Sequence, residues 1–146
     1  MDVYFDNCAL QRPLDDQSSQ RVRLEGEAVL GLVELIEAGR LQLVASGLVE
    51  SELMRTPDPE RIVFGQKILQ LAERWVTLTL DHRIAARRFH GHGLKPLDAA
   101  HLAVAHLGRI EYLCTCDDRF LKAARRIPDL NCTVILPTEL LAVADV

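Results

Sequence analysis

Short apolar runs alternate along the chain with longer stretches whose apolar residues recur every three or four positions. Val3-Tyr4-Phe5 is the first such run. It is too short for a stable helix and reads as a buried strand that ends abruptly at Asp6-Asn7. Residues 11–19 are polar and turn-rich and are expected to form a loop. Over residues 21–38, apolar positions from Val22 to Ile36 make a helical face, which Gly39 stops. Residues 41–45 form a second short run, and Ser46 is placed to cap a helix that carries Glu50, Glu52 and Met54. Thr56-Pro57-Asp58-Pro59 breaks that helix, and the next is expected from Pro59 or Glu60 to about Arg74. Residues 76–80, β-branched and alternating, read as a third strand, with Asp81 capping a helix through Phe89. Gly91-His92-Gly93 is a loop, and residues 96–107 form an Ala- and Leu-rich helix with Asp98 in its first turn. A fourth strand is expected at 111–115, ended by Asp117 and Asp118. A short helix to Arg126, a last strand at 132–136 and a helix from Pro137 complete the chain. Strands alternating with helices predict an α/β fold, one domain over 1–146 with a parallel sheet covered on both faces.

Composition narrows this picture. With 146 residues the chain is long enough to bury a core, and its 49% hydrophobic fraction excludes a disordered protein. No apolar stretch approaches the roughly 18 residues of a membrane helix. Met1-Asp2 opens the chain with an acid and no basic segment, so no export signal is expected and the cytoplasm is the expected compartment. Cys8, Cys114, Cys116 and Cys132 include no CxxC pair and read as buried, reduced thiols rather than metal ligands. A net charge of -4 excludes a broad phosphate-binding surface. It leaves room for an acidic cleft neutralised by bound cations, where local arginines would hold any nucleic acid.

Four acids occupy corresponding places in the expected fold. Asp6 and Asp117 each end a strand, Asp98 opens a helix, and Glu52 lies on a helix just after a strand. Strand carboxyl ends and helix N-termini share one rim of a parallel sheet, so the four side chains can converge there. Converging carboxylates repel unless a hard cation screens them, and Mg²⁺ or Mn²⁺ prefers oxygen ligands. Singly, each acid has a plainer reading as a turn former or a cap of a helix dipole. Glu50 competes with Glu52, since two residues apart on a helix they point in different directions. No Gly-rich phosphate loop, GxSxG or Cys-His pair occurs. A phosphoaspartyl enzyme would want an acid where Cys8 stands.

Val3-Tyr4-Phe5-Asp6-Asn7, Ser46 through Glu52-Leu53, Leu97-Asp98-Ala99-Ala100-His101-Leu102-Ala103 and Thr115-Cys116-Asp117-Asp118-Arg119-Phe120 together resemble the ordered motifs of PIN domains, in particular the VapC-type ribonuclease toxins. The resemblance covers nearly the whole chain. It implies a three-layer α/β/α sandwich with a central parallel sheet and a Mg²⁺- or Mn²⁺-dependent endoribonuclease. In such proteins the nuclease is often the toxin of a type II toxin–antitoxin pair, blocked by a cognate antitoxin, and homodimers are common. Matched by position, Asp6, Glu52, Asp98 and Asp117 are the implied metal-binding and catalytic carboxylates, with Glu52 fitting the pattern better than Glu50. Asp117 is the implied acid of the last motif, with Asp118 a solvated neighbour or helix cap. Two departures stand out. The family's usual Asp-Thr-Asn is replaced by Asp6-Asn7-Cys8, and Cys116 stands where Asn is common after Thr115. The first removes a hydroxyl that holds substrate or water, which leaves Asn7 to substitute.

Asn7, Arg12 and Thr115 are the remaining candidates for substrate contact. Arg12 can reach a phosphate at the rim or pair with Asp15 or Asp16 in its own loop. Lys95 is a weaker phosphate candidate, and the arginines at 87–88 and 125–126 read first as solvated helix faces. His101 shares the helix face of Asp98 and is either a support for that acid or a packed, hydrogen-bonded histidine. His90 and His92 are too few ligands for a metal site, and Trp75 and Phe89 read as core. The alternative to a nuclease is a non-catalytic module on the same scaffold that docks a protein or RNA.

Overall fold

Val3, Tyr4 and Phe5 are each at most 1% exposed, a burial that only a strand covered on both faces achieves. In the computed structural model, which describes residues 1–144, their strand β1 (Asp2–Phe5) is the middle of a five-stranded sheet. The others are β2 (Gln42–Ser46), β3 (Arg74–Val76), β4 (Tyr112–Cys114) and β5 (Thr133–Ile135), in the order β3-β2-β1-β4-β5. Every pairing is parallel, with Tyr4 opposite Val44 on one side and Leu113 on the other.

Between the strands run α1 (Asn7–Gln11), α2 (Gln20–Glu37), α3 (Gly47–Met54), α4 (Pro59–Leu69), α5 (Leu80–His90), α6 (Pro96–Leu107) and α7 (Asp118–Arg125), with α8 (Pro137–Ala144) last. The chain steps outward from β1 through β2 to β3, then crosses back to β4 and β5. Right-handed crossovers therefore put α1–α4 on one face and α5–α7 on the other, giving the expected three layers. Helix α8 packs on α2. One contiguous apolar core runs from β1 through α6 to α8. Gly39, with φ of 75°, ends α2: its N–H donates to the Ile36 carbonyl at 3.0 Å and that of Arg40 to Leu35 at 2.9 Å. Among the described residues, no helix is long and apolar enough to cross a membrane.

The structure corrects five local expectations. The helix expected to reach about Arg74 ends at Leu69, and Arg74 instead opens β3. The loop expected at 11–19 begins as structure, because α1 reaches Gln11 and a 3₁₀ turn follows at Arg12–Leu14. The third strand is Arg74–Val76 rather than 76–80. It is an edge strand paired only with β2, so the alternation beyond Val76 meets no partner and Leu78 and Leu80 stand exposed. Thr79, not Asp81, is the N-cap of α5, in a reciprocal capping box with His82. On the same exposed edge Trp75 is 45% accessible instead of lying in the core, whereas Phe89 is fully buried.

Candidate functional site

The sheet order reverses at β1: one connection leaves it toward β2, while β4 on its other side is reached only after the crossing back. In open parallel sheets, the crevice beyond the strand carboxyl ends at such a switch point is where ligands bind. Asp6 follows β1 there, its N–H donating to the Cys114 carbonyl at 3.2 Å, and Thr115-Cys116-Asp117 follows β4.

Asp6 is buried, and its Oδ1 caps α1 by accepting from the Ala9 N–H at 3.0 Å and the Cys8 thiol at 3.1 Å. Burial holds its carboxyl well above the ordinary value of 3.8, helped by Cys8; His101, Thr115 and the Ala9 hydrogen bond pull the other way. Asp117 is half-buried and caps α7, its Oδ1 accepting from the Arg119 N–H at 2.9 Å and the Phe120 N–H at 3.3 Å. Asp98 is half-buried in the first turn of α6. Its pKa is raised first by burial, then by the neighbouring Asp117 carboxylate, with a smaller push from Glu52; His101 and Lys95 oppose the rise. Glu52 turns inward from α3, its Oε1 2.8 Å from His101 Nε2, while Glu50 is exposed. Three of these segments thus bring acids close enough for Asp117 and Glu52 to act on Asp98, while Asp6 lies buried at the end of β1.

All four donors are hard carboxylate oxygens, the chemistry that suits Mg²⁺ or Mn²⁺. The backbone bonds to Asp6 and Asp117 fall on Oδ1 and the His101 contact of Glu52 on Oε1, so Oδ2 of each aspartate and Oε2 of Glu52 lie outside them. Among the described residues, no three His, Cys, Asp or Glu side chains already stand together as a formed metal cage. The donor chemistry fits a divalent cation, although as they stand no three of these side chains are grouped to hold one.

The other candidates lie as follows. Thr115 is fully buried. Its Oγ1 accepts from the Asp117 N–H at 3.1 Å and it supports Asp6, so the hydroxyl serves the carboxylates from beneath rather than pointing outward. Arg12 is pinned, with Nη2 3.0 Å from Glu25 and Nη1 3.1 Å from Asp15. Asn7 is half-buried at the first position of α1, its Oδ1 3.4 Å from Gln11 Nε2. Asp118 is exposed and paired with Arg21 through two bonds of 2.7 and 2.8 Å. His101 supports Glu52 rather than only its own helix neighbour Asp98. All four cysteines are free thiols; Cys114 and Cys116 are buried, but Cys132 is only half-buried and Cys8 is exposed.

Two cationic residues stand beside Asp98: Lys95, the weaker phosphate candidate, and Arg119, which was not among the candidates. A cleft of about 130 Å³ is lined by Gly93, Leu94, Lys95, Asp98, Arg119 and Phe120, so Asp98 faces two cationic side chains. Arg119 follows Asp117 by two residues, and that proximity to the last motif was the signal available in the sequence. A larger cleft of about 490 Å³, with Leu78, Leu80, His82 and Ala86 in its wall, contains none of the four acids. Its wall is mostly apolar, with Thr79, His82 and Arg83 as its polar members, so the smaller cleft, which holds Asp98, is the stronger candidate.

Solved structures share this architecture. VapBC2 from Rickettsia felis, bound to a DNA fragment from its promoter, aligns with a TM-score of 0.63 at 15% identity, covering 93% of this chain and 98% of that one. FitAcB from Neisseria gonorrhoeae aligns with a TM-score of 0.59 at 17% identity, covering 92% and 97%. A toxin–antitoxin complex from Klebsiella pneumoniae gives 0.57 at 19%, again covering 92% and 97%. At these identities the likeness is one of fold. No curated protein matches the chain. The PIN domain family matches residues 24–126, a span that includes Glu52, Asp98 and Asp117 and that β1 extends by placing Asp6 beside them. The chain belongs to the PIN domain family.

Proposed function

We propose that this protein is a divalent-metal-dependent endoribonuclease acting in the cytoplasm as the toxin of a toxin–antitoxin pair. The observation that carries the reading is the placement of the acids at the switch point of the parallel sheet: Asp6 lies buried at the end of β1, and Asp98 is near enough to Asp117 and Glu52 for both to raise its pKa. Asp6, Glu52, Asp98 and Asp117 would hold Mg²⁺ or Mn²⁺. When bound, such a cation supplies charge neutralisation and Lewis acidity toward a phosphodiester and its attacking water.

The chain's own residues supply the rest. Lys95 and Arg119 flank Asp98 and hold the RNA backbone, a task for two local cations on a chain of net charge -4. Asn7 stands at the rim in place of the family's hydroxyl, while Thr115 fixes the two strand-end aspartates. Arg12 reaches a phosphate only by leaving Glu25 and Asp15, so its contribution to substrate binding is the smaller one. The toxin role draws on the solved toxin–antitoxin assemblies of like fold, and it assigns this chain an antitoxin partner and a possible second copy in the complex.

Cleavage of a fluorescent single-stranded RNA in Mn²⁺ tests the reading. Wild-type protein cleaves, and Asp98→Asn lowers the rate by about 10²-fold or more. Lys95→Ala and Arg119→Ala raise KM and flatten the salt dependence while kcat changes little. Absence of cleavage in either metal over a panel of RNAs would overturn the enzyme and favour a non-catalytic binding module on the same scaffold.

A further inference from the structure

A buried hydrogen-bonded chain links the segments that carry three of the four acids. The Val49 N–H donates to Ser46 Oγ at 3.2 Å, and Ser46 Oγ lies 2.8 Å from the Tyr4 hydroxyl. Tyr4 is 2.7 Å from His101 Nδ1, and His101 Nε2 is 2.8 Å from Glu52 Oε1. Tyr4 and Ser46 are 0% exposed and His101 is 1% exposed. Tyr4 lies two residues before Asp6, Ser46 caps the helix of Glu52, and His101 lies three residues after Asp98. The chain thus ties β1, the β2–α3 junction and α6 together beneath the crevice.

The proton positions follow from counting donors. Ser46 Oγ accepts from Val49, so its own hydrogen has one acceptor within reach, the Tyr4 oxygen. Tyr4 must then donate to Nδ1, which leaves the ring proton on Nε2, aimed at Glu52. Reversing the chain strands the Ser46 hydrogen in a buried site and removes the donor from Glu52.

We propose that His101 is a positioning residue for the metal site. As its Nε2–H tautomer, locked by Tyr4 and Ser46, it holds one oxygen of Glu52 and presents the other to the cation. This rests on the functional reading above. A glutamate has more rotatable bonds to freeze than an aspartate, and Glu52 is the one acid of the four that reaches the crevice from mid-helix rather than from a strand end or a first turn. Partners of this kind change metal affinity by about 10–100-fold when removed.

Calorimetric titration with Mn²⁺ separates this role from packing. A glutamine amide nitrogen stands near the place of Nε2 and an asparagine amide nitrogen near that of Nδ1. His101→Asn therefore weakens Mn²⁺ binding by about 10–100-fold, whereas His101→Gln stays close to wild type, although both lower the thermal midpoint. Tyr4→Phe, which leaves Glu52 and its ring partner in place but frees the tautomer, gives an intermediate loss. Equal Mn²⁺ affinity in wild type, His101→Asn and His101→Gln overturns the proposal and makes His101 a structural residue only. Absence of Mn²⁺ binding by wild type overturns the functional reading, and this inference with it. Should the variants fail to fold, ¹⁵N spectra of the wild-type imidazole decide, since an Nδ1–H tautomer is incompatible with the proposal.

Discussion

Two buried acids on the same side of the molecule are treated in opposite ways. Glu25, on α2, is 2% exposed and lies between two guanidiniums, 3.0 Å from Arg12 and 3.5 Å from Arg21. Its Oε2 makes no hydrogen bond and relies on the nearby Arg21 charge. Asp6, at the end of β1, is 4% exposed and meets backbone N–H, thiol and hydroxyl groups but no arginine or lysine, and its pKa is driven up by burial. An acid matched by built-in cations fastens the 3₁₀ turn to α2. An acid left without one is costly to charge in the bare protein, and a cation bound beside it, as the proposed function requires, would offset that cost. The difference separates a carboxylate matched by built-in cations from one that is not, without appeal to position in the sequence.

The largest expected effect comes from breaking the matched pair. Arg12→Ala leaves Glu25 with one distant partner and lowers stability by about 2–4 kcal/mol, somewhat under the range for a fully buried pair because Arg12 is partly exposed. Urea unfolding measures it, and a loss under about 1 kcal/mol would erase the contrast with Asp6. The opposite sign is expected at the unmatched acid. Because the folded state raises the Asp6 pKa, the cost of its charge is complete above that folded value and gone below the unfolded value near 3.8. Metal-free Asp6→Asn should therefore melt higher than wild type at pH 8, by about 2–4 °C for each kcal/mol of burial relieved. The two curves converge as the pH falls. The same variant loses the stabilisation that Mn²⁺ gives wild type, about 2.7 kcal/mol at a hundredfold excess over Kd. A lower melting point for metal-free Asp6→Asn at pH 8 would mean that Asp6 is already matched. Next in size, Ser46→Ala removes the α3 cap and should cost about 1 kcal/mol, read from the thermal midpoint.

How much of this was legible depends on whether local pattern or long-range placement decided it. The β1 run, the Gly39 stop and the Ser46 cap are local, and the sequence states them directly. The three-layer parallel fold follows from their alternation. Helix α1 has no separate signal in the sequence because Asp6 doubles as its cap, so one residue carries a structural and a chemical signal at once. The 3₁₀ turn was masked by Pro13 and the polar residues beyond it. It lies flat on α2 because Gly26 has no side chain, where a Cβ would come within 3.1 Å of Pro13 Cα. Glu25 sits at a buried position of an otherwise apolar helix face, and only folding brings Arg12 to it. The strand misplacement at 76–80 has the same origin, since alternation reports a pleat and cannot report that the neighbouring strand has ended. For the site, the four acids were legible as positions, whereas the links from Tyr4 to His101 and from His101 to Glu52 span 97 and 49 residues and have no local trace.

The smallest expected effect sharpens the comparison most finely. Arg21 holds Asp118 through two short bonds, yet both side chains are 50% exposed, and its Nε is 3.5 Å from Glu25. Solvent screens the first pair, and the second is long, so Arg21→Ala should cost less than about 1 kcal/mol. The cost should shrink further between 0.1 and 0.5 M salt, roughly as the screening length shortens below 10 Å. Comparing the salt dependence of Arg21→Ala with that of Arg12→Ala then assigns the Glu25 charge to its partner. If Arg12 is the true counterion, its loss is nearly independent of salt while that of Arg21 fades. If both fade alike, the Glu25 pocket is wet, and its difference from Asp6 is one of solvent access rather than of built-in charge.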